Sequence, residues 1–257
     1  MTAFATTRHP ANTTDRYPSR LPGQSAGLLP RLDPVRWPGR PDGPLDETAC
    51  KRFERDGFLA LPGLFDADEV ARLLEATTDL QQRFHGSSEE RAVLEPDSGA
   101  LRSIFQVQSL DSRLERLFRD PRLLDAARQL LGSEVYLHQT RVNYKPGFRG
   151  REFSWHSDFE TWHVEDGMPA MRALSCAISL TDNLEQNGPL LLVPGSHRHF
   201  IVCAGQTPAD HYRESLRRQE YGVPHPELIS RLVTDGGLRA ITGPAGGVVL
   251  FDCNTLH

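Results

Sequence analysis

His156 and Asp158 stand two residues apart in a stretch, residues 153–175, where imidazole, carboxylate and indole groups crowd together more densely than anywhere else in the chain. The aromatic, alternating first half of this stretch predicts a strand. In a strand, residues i and i+2 share a face, so one imidazole and one carboxylate would stand side by side. These are two of the three donors of a 2-His-1-carboxylate facial triad, which holds non-haem Fe(II) and leaves positions open for substrates. An H-x-D pair alone equally describes a solvated strand. A solvated strand has little use for Phe153, Trp155, Phe159 and Trp162 around the same pair, whereas a metal site can use them as a dry wall.

The third donor must come from elsewhere in the sequence. His163, His197, His199, His211, His225 and His257 all follow Asp158. His163 reads as a pocket or surface group, and His197 and His199, after a Pro-Gly-Ser turn, as rim residues. His257 ends the last apolar strand, a position that suits a ligand in a jelly roll. Spacing alone leaves the choice open.

The elements that must position these groups change character along the chain. Residues 1–44, rich in Pro, Arg, Thr and Gly, are expected to form a mobile N-terminal arm that partly wraps a single domain over 45–257. Helices are expected at 46–57, after a capping box formed by Asp66 and Glu69, at 111–118 and at 121–131. A short strand is expected at 58–61, a polar loop at 86–99 and a strand at 101–110. From Val135 the period becomes that of strands. Over 135–145, Gln139, Arg141, Asn143 and Lys145 fall on one face, which is either a solvent face or the polar lining of a barrel. Further strands are expected at 172–181, 190–193, 238–242 and 247–252, with a polar insertion at 204–237 that carries a helix at 209–221. The fold class that follows is mainly β with N-terminal helices, an antiparallel sandwich or jelly roll.

Composition narrows the function classes. The chain has 257 residues and a net charge of −5, with no basic stripe, which argues against nucleic acid. No apolar run approaches a membrane span, and no secretory signal opens the sequence. Four widely spaced cysteines without a C-x-x-C pair point to reduced thiols and a cytoplasmic protein. A structural zinc site is disfavoured, because no cysteine lies near His156 and Asp158.

The run Trp155-His156-Ser157-Asp158-Phe159-Glu160-Thr161-Trp162-His163, continuing to Glu165-Asp166-Gly167-Met168-Pro169, resembles the signature of ectoine hydroxylases, in the phytanoyl-CoA dioxygenase-like branch of Fe(II)/2-oxoglutarate oxygenases. The resemblance extends to Tyr17–Arg20, Arg31–Pro34, Asp56–Phe58, His138–Phe148, Asn187–Leu190, Pro194–His197 and Asp252–His257. It implies a double-stranded β-helix (cupin-like) core, with His156, Asp158 and His257 holding the iron. It places Lys145, Asn143 and Ser175 near 2-oxoglutarate, and Gln139, Arg141, Thr161 and Trp162 near ectoine. It further implies O2 as cosubstrate, with 2-oxoglutarate decarboxylated to succinate while ectoine gains a hydroxyl at C5, and a homodimer. The substrate's chemistry agrees, since Arg suits a carboxylate through paired hydrogen bonds, an indole face suits a delocalised cation, and Gln can donate or accept. Ligands that must be deprotonated should lose the metal at acid pH. The resemblance also implies a further C-terminal part with the last core strand, so this form is expected to be impaired. Two competing expectations are an oxygenase of the same branch on another small cyclic or amino-acid-like substrate, and a non-catalytic jelly-roll binding module.

Overall fold

The computed structural model describes residues 15–147, 150, 152–208 and 221–257. In chain order come β1 (Gly27–Pro30), α1 (Glu47–Asp56), β2 (Phe58–Leu61), α2 (Ala67–Arg83), β3 (Ala92–Leu94), β4 (Leu101–Phe105), α3 (Ser112–Leu117), α4 (Pro121–Leu131) and β5 (Arg141–Asn143). They are followed by α5 (Asp158–Asp166), β6 (Leu174–Ile178), β7 (Leu191–Leu192), β8 (His199–Val202), α6 (Pro226–Gly236), β9 (Arg239–Ala240) and β10 (Val248–Asp252).

The N-terminal helices form where caps and apolar period agree. Asp46 accepts from the Ala49 N–H and opens α1, while Gly57, in the left-handed region at φ 83°, closes it. Asp66 and Glu69 satisfy each other's backbone donors in a complete capping box at the start of α2. Pro121 occupies the first turn of α4, where its missing N–H costs nothing. The buried faces of α1, α2, α3 and α4 meet β2, β4 and β10 in one large core that includes Phe53, Leu73, Leu80, Ile104, Leu130 and Leu250.

Among the described residues, four small sheets, all antiparallel, run in the orders β1-β8, β2-β10-β6, β3-β4-β5 and β7-β9. Strand β10 lies between β2 and β6, and all five of its residues are buried. This matches its continuous apolar run, since a strand covered on both faces loses the alternation of a half-exposed one. These sheets, with a helical layer before them, make the double-stranded β-helix core that the sequence led one to expect.

Several local expectations need correction. The stretch around His156 and Asp158 is not a strand. His156 lies outside any helix or strand, and Asp158 opens α5. Ser157 caps this helix by accepting the Glu160 N–H, Asp158 and Glu160 place negative charge in its first turn, and Gly167 ends it. Such local chemistry outweighs the β-preference of the aromatics. Residues 15–44 are no mobile arm: Tyr17 is fully buried, Ser19 and Arg20 nearly so, and β1 pairs with β8. His197 is no rim residue but fully buried, packed so close to Gly57 that any Cβ there would collide with its Nδ1. Only 141–143 of the 135–145 run is strand, the loop at 86–99 contains β3, and α6 lies in the insertion expected to be irregular. The helix expected at 209–221 and the candidate His211 fall, Tyr221 apart, outside the described residues.

Candidate metal centre and substrate cleft

Three side chains converge from two separate parts of the chain. Donor atoms of His156, Asp158 and His257 all lie within 4.8 Å of one another. Asp158 Oδ1 is 3.7 Å from His156 Nε2 and 3.9 Å from His257 Nε2. Backbone bonds hold the segments together. The His156 N–H donates to the His257 carbonyl and the His257 N–H to the His156 carbonyl, both at 3.0 Å, and the Phe159 N–H donates to the Cys253 carbonyl at 2.7 Å. The Val193 N–H bonds the Leu256 carbonyl at 3.0 Å, and the Leu256 N–H bonds Ser196 Oγ at 2.9 Å.

The imidazoles are prepared as ligands. His156 Nδ1 lies 2.8 Å from the Ser154 carbonyl and His257 Nδ1 3.0 Å from the Thr255 carbonyl. A carbonyl only accepts, so each Nδ1 carries the proton and each Nε2 turns its lone pair toward Asp158. Burial, reinforced by the neighbouring His257, pushes the His156 pKa well below the usual imidazole range, which keeps this ring neutral at physiological pH. Burial works against ionisation of Asp158. The fields of the neighbouring His257, His156 and Arg141 side chains, with a 2.6 Å hydrogen bond from Ser175 Oγ to Asp158 Oδ2, outweigh it and hold the carboxyl below its ordinary range. Two imidazoles with their Nε2 atoms turned to one carboxylate, on one side of an open space, are a donor set that fits Fe(II) with positions left for other ligands.

The space in front of them is a cleft of about 2130 Å³. Gln139, Arg141, Asn143, Lys145, Trp162 and Ser175 line it. Arg141 stands near enough to the three donors for its charge to act on both His156 and Asp158. Its guanidinium lies 5.7 Å from the Phe153 ring centre. Lys145 Nζ donates to the Gly188 carbonyl at 2.8 Å, and Asn143 Oδ1 accepts from Ser103 Oγ at 2.8 Å. The Trp162 indole meets the His138 ring edge-on at 5.0 Å.

Two expected cleft residues face elsewhere. Thr161 does not line the cleft, and its hydroxyl lies 3.4 Å from Arg20 Nη2. Phe159 is fully buried in a second core with Tyr17, Met171 and Phe200, so it is no wall of the site. His163, once a candidate ligand, stacks on Phe159 and bonds the Met168 carbonyl and Asp15. Residues passed over in the sequence also matter: Arg20, Arg31 and the Ser154 and Thr255 carbonyls each brace a donor segment. The first two lie in Tyr17–Arg20 and Arg31–Pro34, but nothing in their spacing announces a role.

The antiparallel jelly roll and its three convergent donors define a class, the facial-triad proteins built for non-haem iron. The chain belongs to the phytanoyl-CoA dioxygenase (PhyH) family, whose model matches residues 53–257. It is 56% identical over 244 residues to the ectoine dioxygenase of Bordetella bronchiseptica, spanning 95% of this chain and 79% of that protein. The crystal structure of EctD from S. alaskensis with 2-oxoglutarate and 5-hydroxyectoine superposes with a TM-score of 0.84 at 45% identity, over 95% of this chain and 80% of that one. The same enzyme with bound Fe gives a TM-score of 0.82.

Proposed function

We propose that this chain is an ectoine hydroxylase, an Fe(II)- and 2-oxoglutarate-dependent dioxygenase that forms 5-hydroxyectoine. The observation that carries the proposal is the convergence of His156, Asp158 and His257 within 4.8 Å, in a chain 56% identical to an ectoine dioxygenase. His156, Asp158 and His257 hold the iron. With 2-oxoglutarate and O2, the iron supplies the oxidising power for insertion of oxygen at an unactivated C–H bond.

The remaining work belongs to the chain. Arg141 receives the ectoine carboxylate through its planar fork, Trp162 offers its face to the cyclic amidinium, and Gln139 completes the polar contacts. Together they fix which C–H bond faces the metal, and such orientation accounts for much of the rate in reactions between bound partners. Lys145 and Asn143 serve the 2-oxoglutarate side of the cleft. Ser175, which the resemblance places on that side too, lines the same cleft and also orients the metal-binding carboxylate through its bond to Asp158.

Among the described residues no helix is long and apolar enough to cross a membrane. We place the enzyme in the cytoplasm, acting on a dissolved solute, and as a homodimer. The test is mass-spectrometric product analysis with Fe(II), 2-oxoglutarate, O2 and ectoine. Equal amounts of succinate and 5-hydroxyectoine are expected. Turnover of another small cyclic amino-acid derivative but not of ectoine would overturn the substrate, and the absence of iron binding would overturn the enzyme reading.

A further inference from the structure

We propose that Arg20 and Arg31 are positioning residues for the iron ligands, Arg20 for Asp158 and Arg31 for His257. The proposal rests on the ligand set given above. Neither arginine lines the cleft. Both come from the 15–44 segment, and each is buried against an element that carries a donor.

Arg31 follows β1, and its side chain is 4% exposed against 3% for Asp252. Its Nη1 donates to Asp252 Oδ1 at 2.8 Å, its Nε to the Asp33 carbonyl at 2.9 Å, and its Nη2 to the carbonyls of Pro34 at 2.8 Å and Met171 at 3.1 Å. Asp252 in turn fixes the turn after β10: its Oδ1 accepts the Asn254 N–H at 2.8 Å and its carbonyl the Thr255 N–H at 2.9 Å. The Thr255 carbonyl is the group that holds His257 Nδ1. A continuous relay of directional bonds therefore runs from the Arg31 guanidinium to the His257 imidazole.

Arg20 does the same for α5. Its side chain is fully buried, and it grips Glu160 through Nε at 3.0 Å and Nη2 at 2.5 Å, and Glu165 through Nη1 at 2.6 Å. Ser19 Oγ adds a 2.6 Å bond to Glu160. Asp158 and Glu160 are two apart on a helix, hence about 200° apart around its axis. Drawing Glu160 toward Arg20 turns Asp158 toward the cleft. Nine residues make a helix too short to hold its own rotation. Arg20 also sits at φ 55°, a conformation a non-glycine residue keeps only where its surroundings overdetermine it.

Stability by itself does not explain this arrangement. A buried ion pair is weak evidence for net stabilisation, since an apolar pair of similar volume often does as well or better. What a guanidinium adds is several fixed directions at once, and here they point at the two segments whose orientation sets the donor geometry.

The test uses the full chain with Arg31→Lys and Arg20→Lys, which keep the charge and lose the fork. Leu73→Ala, in the α2 core, serves as a destabilised control. Anaerobic Fe(II) affinity and the melting temperature of the metal-free protein are both measured. We expect each lysine variant to weaken Fe(II) binding by roughly tenfold or more, the scale seen when the partners of metal ligands are removed, while the control binds within about two-fold of the native chain despite its lower melting temperature. If the lysine variants bind within about two-fold of native, or if the control weakens in step with its stability, the inference fails. Should Arg20→Lys not fold, Glu165→Gln removes one arm of the same grip and carries the same expectation. His257→Ala separates the two layers: retained stoichiometric iron overturns the ligand set itself, whereas lost iron with native-like lysine variants overturns only the positioning role.

Discussion

The chemistry of single residues depends on what stands behind them. Ser154 and Thr255 contribute only carbonyls, yet those carbonyls decide which nitrogen of His156 and His257 is free. Ser175, expected beside 2-oxoglutarate, lines the cleft and donates to Asp158 Oδ2. Ser175→Ala should therefore weaken Fe(II) binding by about tenfold with little change in the KM for 2-oxoglutarate, measured by anaerobic titration and by steady-state assay; the reverse pattern would return Ser175 to the cosubstrate. Trp162→Ala should raise the KM for ectoine by about tenfold, the equivalent of roughly 1–2 kcal/mol of cation–π and contact energy, with the KM for 2-oxoglutarate nearly unchanged. Equal effects on both would remove the indole from the substrate side. His156 and Asp158 were legible in the sequence because their chemistry is local. The third donor was open on spacing alone, because its partners are reached only through the fold and five other histidines offered the same side chain, and only the family resemblance pointed to His257.

At the scale of elements, sequence reading succeeded wherever caps and period spoke together. Asp46, the Asp66–Glu69 box, Pro121 and the apolar faces of α1, α2 and α4 all lie where the chain announced them. It failed at α5. There, aromatic β-formers suggested a strand, while Ser157 and Glu160, spaced as a cap and its partner, carried the helix signal. It was also weak for the short strands. β7 and β9 have two residues each, too few for a period of two to show, and β1 is specified by pairing with β8 rather than by its own pattern. The junction between α1 and β2 gives a test at this scale. Gly57 combines φ 83° with a site where a Cβ would strike His197 Nδ1 and crowd Thr255. Gly57→Ala should cost at least about 2 kcal/mol, from left-handed strain and forced displacement of packed neighbours, as read from urea unfolding of the metal-free protein.

Over the molecule as a whole, folding is coupled to protonation through a group remote from the cleft. Burial, opposed only in part by Asp252 and by the hydrogen bond to the Glu54 carbonyl, pushes the His197 pKa down to about 4. In the unfolded chain the same imidazole titrates near 6.5. Between these values the unfolded state holds more protons, so stability rises with pH across the window. The contribution is fully present above about 6.5 and lost as pH falls toward 4, with a size on the order of 3 kcal/mol. Unfolding free energies of native protein and His197→Gln, compared from pH 7 to pH 4.5, should converge as acid is added; parallel curves would show that His197 does not drive the effect.

The paired backbone bonds between His156 and His257 also have a meaning for chemical change at this centre. They fix the separation of two donors through peptide groups alone, and peptide groups are common to every residue type. Side chains at these two positions can therefore be exchanged for other donors while the pitch between them stays the same. The centre is divided into an interchangeable set of atoms that face the metal and an invariant frame that spaces them. A chemist wishing to alter which ion or which oxidant the cleft supports has two sockets of known spacing in which to do it.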